Sequence, residues 1–272
     1  MTKNTNIIYE VEDSLALITI NRPERKNALD GETLEMLNRA MDLAEEDNEI
    51  KAIIISGKGN TFSSGFDLKD QLKKSPKGKE WKEILDLDFN TIMRFWHSPK
   101  PTIAAIRGAC LAGAFELALA CDITIASKDA FFGEPELRFG AGIVTMLLPW
   151  VTGVKAAKEI ILLGKDNIKA EEALRLGLVT RLTEDEFLLK TAKEIAFNLA
   201  EIDPNLVKET KKAINQSYEI QGLLKSLQNS LDIDYQIESK GSPDKKRFME
   251  IARHKGMKEA IAYRNRRFKP DA

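Results

Sequence analysis

Two segments of small residues offer the clearest chemistry in this chain. One is Phe62-Ser63-Ser64-Gly65-Phe66-Asp67-Leu68 and the other Gly108-Ala109-Cys110-Leu111-Ala112-Gly113-Ala114-Phe115-Glu116. Each follows an apolar, β-branched run and leads toward a helix. Small side chains and glycine let the backbone come close to whatever lies above it. A pair of such turns can aim two free backbone N–H groups at one oxygen atom, which is how an enzyme stabilises an enolate or oxyanion.

Two acids can complete that chemistry. Glu116 is flanked by Phe115, Leu117 and Leu119, with no other charge before Asp122. An acid in such a stretch is expected to be buried or to line a cavity, and its pKa to be pushed upward. Its structural alternative is a carboxylate capping a backbone or paired to an arginine. Phe131-Phe132-Gly133-Glu134-Pro135-Glu136 brackets a proline with two more acids. Alternation there would aim one acid inward and the other at water. Two carboxylates in different environments can divide general-acid and general-base roles.

These residues need a scaffold. Ser14 to Ile20, Lys51 to Gly57, Thr102 to Arg107 and Asp122 to Ala126 read as strands. Asp30 can cap a helix carrying Leu34, Leu37, Met41 and Ala44. Lys69 to Lys79 reads as a charged loop, Trp81 to Trp96 as a helix stopped by Ser98-Pro99, and Phe115 to Ala120 as a short helix. Gly164 to Leu182 reads as helix, then Gly177, then strand. Beyond Glu184 only helical patterns remain, broken near Pro204 and Gly241-Ser242-Pro243. Strand–helix units followed by a helical tail argue an α/β core, with the tail beginning between Thr183 and Pro204.

Composition removes several function classes. The 272 residues are 43% hydrophobic and 31% charged, with a net charge of −1. That balance gives no bulk electrostatic case for nucleic acid or anionic membrane. The polar N-terminus has no signal-peptide core and no apolar run is long enough to span a bilayer, so a cytoplasmic location is expected. Cys110 and Cys121 are expected as buried free thiols. His97 and His254 lack neighbours suited to a triad or a metal site. Thr61 stands where a nucleophile elbow centred on Ser63 would need glycine, and neither a dinucleotide fingerprint nor a P-loop spacing is present. Arg22, Arg25 and Lys26 follow a strand, where a loop can line a site. Arg264-Asn265-Arg266-Arg267 reads as a solvated helix end, with contact to a ligand phosphate as the alternative.

The ordered motifs resemble the crotonase superfamily, and most of all its enoyl-CoA hydratases. The resemblance rests on Asn21-Arg22-Pro23, Asn27-Ala28-Leu29, the two turn segments, Lys100 to Ala105, Cys121-Asp122, Gly133 to Glu136, and Ala173 to Val179. It implies a spiral of repeated ββα units over residues 1–200 and a C-terminal helical oligomerisation region over 201–272, building a trimer or a dimer of trimers. It implies an acyl-CoA thioester substrate and no metal or redox cofactor. By motif position, the N–H groups of Phe66 and Gly113 would form the oxyanion hole, and Glu116 and Glu136 would be the catalytic acids. Arg25, Lys26, Ala28, Ser64, Phe66, Asp67, Leu68, Lys69 and Gly113 would line the substrate and its CoA.

The chain departs from the family pattern at Phe66, where many hydratases carry a small residue. Its ring is expected to reshape the acyl or CoA channel. The stretch Phe139 to Leu148 implies an altered, apolar end to the acyl pocket. Three functions follow from the resemblance. The first is hydration of a 2-enoyl-CoA to 3-hydroxyacyl-CoA. The second is isomerisation or another crotonase lyase or hydrolase reaction. The third is acyl-CoA binding without turnover.

Overall fold

The protein is described by a computed structural model covering residues 5–268. Strands β1 (Ile7–Glu12), β2 (Leu15–Ile20), β3 (Ala52–Gly57), β4 (Thr102–Ile106), β6 (Ile123–Ser127) and β9 (Arg181–Thr183) form one sheet in the order β1-β2-β3-β4-β6-β9. Only β1 is antiparallel to its neighbour. A second sheet holds β5 (Ala109–Leu111), β7 (Phe131–Gly133) and β8 (Ile168–Lys169). The helices between β2 and β9 are α1 (Gly31–Glu46), α2 (Leu68–Lys74), α3 (Glu80–His97), α4 (Gly113–Ala120), α5 (Leu148–Thr152), α6 (Val154–Leu163) and α7 (Ala170–Arg175). Five more follow β9: α8 (Leu188–Ala200), α9 (Pro204–Ile220), α10 (Leu223–Lys240), α11 (Pro243–Lys255) and α12 (Met257–Arg267).

Both faces of the parallel sheet are covered, which is why β3 and β4 read as continuous apolar runs rather than alternating ones. Ile53, Ile55, Ala104 and Ile106 face the main core with α1 and α4. Ala52, Ile54, Ile103 and Ala105 face the other way and meet Leu188, Ala192 and Ala196 of α8.

The chain repeats one path. It leaves a strand of the large sheet, crosses the small sheet, and enters a helix. β3 leads past Ser63 to α2, and β4 leads through β5 to α4. Ser63 bridges Cys110, and Leu29 bridges Phe66, so both turn segments belong to this second layer.

Several local expectations are corrected. The Lys69 to Lys79 segment is not one loop: α2 occupies its first half, because the Asp67 carboxylate accepts from the N–H groups of Lys69 and Asp70 and caps that helix. β1 escaped the pattern because it is a half-exposed edge strand with little alternation. β5, β7 and β8 are three residues or fewer, too short to show a period. The Gly164 to Leu182 segment contains β8 before its helix.

The C-terminal helices wrap back on their own chain. α10 packs on α3, while α11 packs on α2 and on the 3-10 turn Glu136–Phe139. Their inner side chains close one wall of the cavity described next.

Candidate active site

The two turns are parallel copies of one another. Ser63 pairs with Cys110 through Ser63 N to Ala109 O (3.1 Å) and Leu111 N to Ser63 O (3.2 Å). Three residues further along, in the same register, stand Phe66 and Gly113. The residues just before them both have positive φ: Gly65 at +85° and Ala112 at 58°. Alanine seldom adopts that conformation, and such strain is retained where the surroundings fix it. Among the described residues neither Phe66 N–H nor Gly113 N–H donates to a protein acceptor.

The turns also touch. A Cβ on Gly65 would lie 2.5 Å from the Ala112 Cβ and 3.3 Å from Gly113 N. A Cβ on Gly113 would overlap the Phe66 ring. The Phe66 ring thus lies over the Gly113 α-carbon and continues into a cluster with Trp81, Leu85, Val144 and Leu231.

One cavity of about 820 Å3 gathers the sequence-predicted residues. Arg25, Lys26, Ala28, Ser64, Phe66, Asp67, Leu68, Lys69, Glu116 and Glu136 all line it, and Gly113 sits beside it under the Phe66 ring. Arg25, Lys26 and Lys69 are exposed and give the mouth a basic rim, joined by Lys258 of α12. Asp67 is buried and engaged: besides capping α2 it accepts from Arg22 at 3.2 Å and Arg25 at 3.4 Å. It therefore holds the first turn to the loop after β2.

The first turn of α4 places Glu116 against the cavity, and Pro135 sets Glu136 at the start of its 3-10 turn. Glu116 is 1% exposed and Glu136 8%, and each has an Oε2 with no partner among the described residues. Burial, then the charge of Glu136, pushes Glu116 well above the usual carboxylate range, against a hydrogen bond from Thr145 N–H. Burial raises Glu136 to about 7, and hydrogen bonds from its own N–H and from Glu134 oppose the rise. The expected division of Glu134 and Glu136 between cavity and water does not occur. Glu134 is 1% exposed, and its carboxyl is raised by burial and by the charges of Glu136 and Glu116.

The far end of the cavity corrects a second expectation. The stretch Phe139 to Leu148 does bring Val144, but α3, α10 and α11 add Asp88, Asp234, Glu238 and Lys245, all buried. Arg264 also lines the cavity and pairs with Asp166 at 3.1 Å, so it is not a solvated helix end. A sequence signal for two of these acids existed. Asp88 falls on the buried stripe of α3 with Trp81, Leu85 and Ile92, and Asp234 on that of α10 with Leu227 and Leu231. Cys110 and Cys121 are free and buried, as expected. Among the described residues no helix is long and apolar enough to cross a membrane.

A spiral of strand–strand–helix units with paired turns over a buried acid pair defines a crotonase-type acyl-CoA enzyme. Comparisons with known proteins agree. The family model for enoyl-CoA hydratase/isomerase matches residues 10–256. A short-chain-enoyl-CoA hydratase of Clostridium acetobutylicum is 39% identical over 217 residues, covering 78% of this chain and 81% of that protein. A crotonyl-CoA hydratase of Syntrophomonas wolfei is 35% identical, covering 78% and 82%. The crystal structure of an enoyl-CoA hydratase/isomerase from Xanthobacter autotrophicus Py2 superposes with a TM-score of 0.97 at 56% identity, covering 98% of this chain and 100% of that one. The chain belongs to the enoyl-CoA hydratase/isomerase family and is a lyase of the enoyl-CoA hydratase type.

Proposed function

We propose that this enzyme adds water across the C2–C3 double bond of a 2-enoyl-CoA to give the 3-hydroxyacyl-CoA. The observation that carries this reading is the pair Glu116 and Glu136. Both are buried, each holds an unpartnered carboxyl oxygen, and both share a cavity with the register-matched turns.

The thioester carbonyl oxygen sits between the N–H groups of Phe66 and Gly113. Attack of water at C3 moves an electron pair through C2 onto that oxygen, and the two fixed donors stabilise the enolate where it forms. The N-terminal end of α4 adds its positive pole there. One glutamate takes a proton from the attacking water and the other delivers a proton to C2, so the pair works when it carries one proton. The exposed cations Arg25, Lys26 and Lys69 suit the phosphates of CoA, with Ala28, Ser64 and Leu68 along its path. Asp67 acts here as a positioning residue, since its carboxylate is engaged by Arg22, Arg25 and α2.

The test is hydration of crotonyl-CoA and longer 2-enoyl-CoA thioesters, followed by loss of the conjugated-thioester absorbance. Glu116→Gln and Glu136→Gln are each expected to lose ~100-fold or more in kcat. No hydration at any chain length by a well-folded protein overturns the reading. Loss with only one of the two changes, together with turnover of a 3-enoyl-CoA, replaces it with isomerisation. An oligomeric enzyme, a trimer or dimer of trimers, is part of the same proposal, and light scattering of the purified chain tests it.

A further inference from the structure

The buried end of the cavity is lined in a way an unsubstituted acyl chain does not need. Asp88 is 4% exposed, Asp234 2%, Glu238 5% and Lys245 6%. Two of the four satisfy each other. Lys245 is bonded to Glu238, which also accepts from Gly142 N–H at 3.3 Å, and the Lys245 ammonium lies 4.3 Å from the Trp81 ring centroid. Asp234 and Asp88 have no such arrangement. Asp234 Oδ1 has no hydrogen-bond partner among the described residues, and no side-chain hydrogen bond or ion pair of those residues engages Asp88, where only the charge of Lys74 opposes the upward push of burial and of Asp234 and Glu238. Both acids border the cavity beside apolar Trp81, Leu85 and Val144.

A buried carboxyl without partners is costly. Neither acid returns that cost by capping a helix or closing an ion pair. Each occupies a position on its helix where a leucine would extend the buried stripe.

We propose that this end of the cavity is a polar subsite for a hydroxyl group carried by the acyl portion of the CoA thioester, with Asp234 and Asp88 as its hydrogen-bonding partners. The proposal rests on the acyl-CoA reading above and names the substrate class within it. A hydroxyl both donates and accepts, so it can donate a hydrogen bond to an ionised carboxylate and accept one from a neutral carboxyl. The charge of Asp234 pushes Asp88 further up, which favours one neutral and one ionised acid at this end. An acyl carboxylate would meet this acid excess unfavourably. An ammonium would duplicate Lys245, already buried there. Both acids line the same cavity of about 820 Å3 as Glu116, so the hydroxyl belongs on a short chain or a ring.

The test is calorimetric binding of saturated thioesters, which cannot be hydrated. The probes are butyryl-, pentanoyl- and hexanoyl-CoA beside 4-hydroxybutyryl-, 5-hydroxypentanoyl- and 6-hydroxyhexanoyl-CoA. The hydroxylated partner is expected to bind ~10-fold or more tightly at one of these lengths. Asp234→Leu is expected to reverse the preference, tightening the unsubstituted thioester. Equal binding at every length, or tighter binding of the unsubstituted series, overturns the subsite while leaving the acyl-CoA reading in place. So does 6-aminohexanoyl-CoA binding more tightly than the hydroxyl probes. Absence of binding by all the thioesters overturns both. Preference for the hydroxyl without any hydration of enoyl-CoA keeps the subsite and overturns only the hydratase assignment. The wild-type comparison decides the matter even where the leucine variant does not fold.

Discussion

Glu136→Gln should abolish turnover and stabilise the protein at the same time. The magnitude follows from linkage. The Glu136 carboxyl is raised from an ordinary 4.5 to about 7 in the folded protein. Each pH unit of that difference is worth about 1.4 kcal/mol. For an acid whose folded pKa is raised, the native state holds its proton more tightly than the unfolded chain does. The stability it contributes is fully present below pH 4.5 and is lost as pH rises through 7. By pH 8 the wild-type enzyme has lost about 3 kcal/mol that the neutral glutamine does not lose. Removing the Glu136 charge also relieves Glu116 and Glu134, both of which it pushes upward, so the gain should not fall below that figure. The assay is urea unfolding of both proteins at fixed protein concentration, at pH 4.5, 6 and 8. The stability difference should be small at pH 4.5 and grow by about 3 kcal/mol by pH 8. A difference that is flat with pH, or a variant less stable at pH 8, refutes the argument that Glu136 is a buried acid held for chemistry at the expense of the fold.

Three more expectations share the same geometry. kcat/KM for enoyl-CoA should rise with pH through about 7, because below it Glu136 is protonated alongside Glu116 and no base remains; a profile flat between pH 5.5 and 8 would count against the pair. Gly113→Ala places a methyl group inside the Phe66 ring, so it should cost ~10-fold or more in kcat/KM, and adding Phe66→Leu should restore part of it; no recovery in the double variant would mean that the ring is not the obstacle. Asp67→Ala removes the α2 cap and one of the two carboxylates paired to buried Arg22, and should cost about 2 kcal/mol in urea unfolding while raising KM more than it lowers kcat; an unchanged KM would show that the first turn does not depend on this acid.

What the sequence revealed depended on the length of the pattern. α1 and α3 span four turns or more, and their spacing of apolar positions survives reading without a structure. β5, β7 and β8 do not, because two or three residues cannot display alternation. Their pairing is what turns two unremarkable loops into a matched pair. Glu116 announced itself because it interrupts an apolar run with no other charge nearby. Asp88 and Asp234 did not, because their helices also carry solvent-facing acids such as Asp86 and Asp232, and only helical phase separates one kind from the other. The burial of Glu134 escapes the sequence pattern for a related reason. Alternation holds for a continuing strand, but β7 ends at Gly133 and a 3-10 turn begins at Glu136, so the two acids are not on opposite faces.

Phe66 and Gly113 are best understood as one feature. In the register of the two turns they are equivalent positions, yet one carries an aromatic ring and the other has no side chain. The Phe66 ring occupies the volume a Cβ at Gly113 would need, so the close approach of the turns is filled by carbon rather than left open to water. A dry surrounding strengthens whatever hydrogen bonds the two N–H groups make. The same ring reaches Trp81 and Val144, beside the unpartnered acids of the far end. It therefore lines the cavity beside both the basic residues of the mouth and the buried acids of the far end, and an acyl group lying there packs its apolar carbons against the ring. If Phe66→Ala widened the cavity, water would reach the acids of the far end, and discrimination between hydroxylated and unsubstituted thioesters would shrink even though neither acid had been changed.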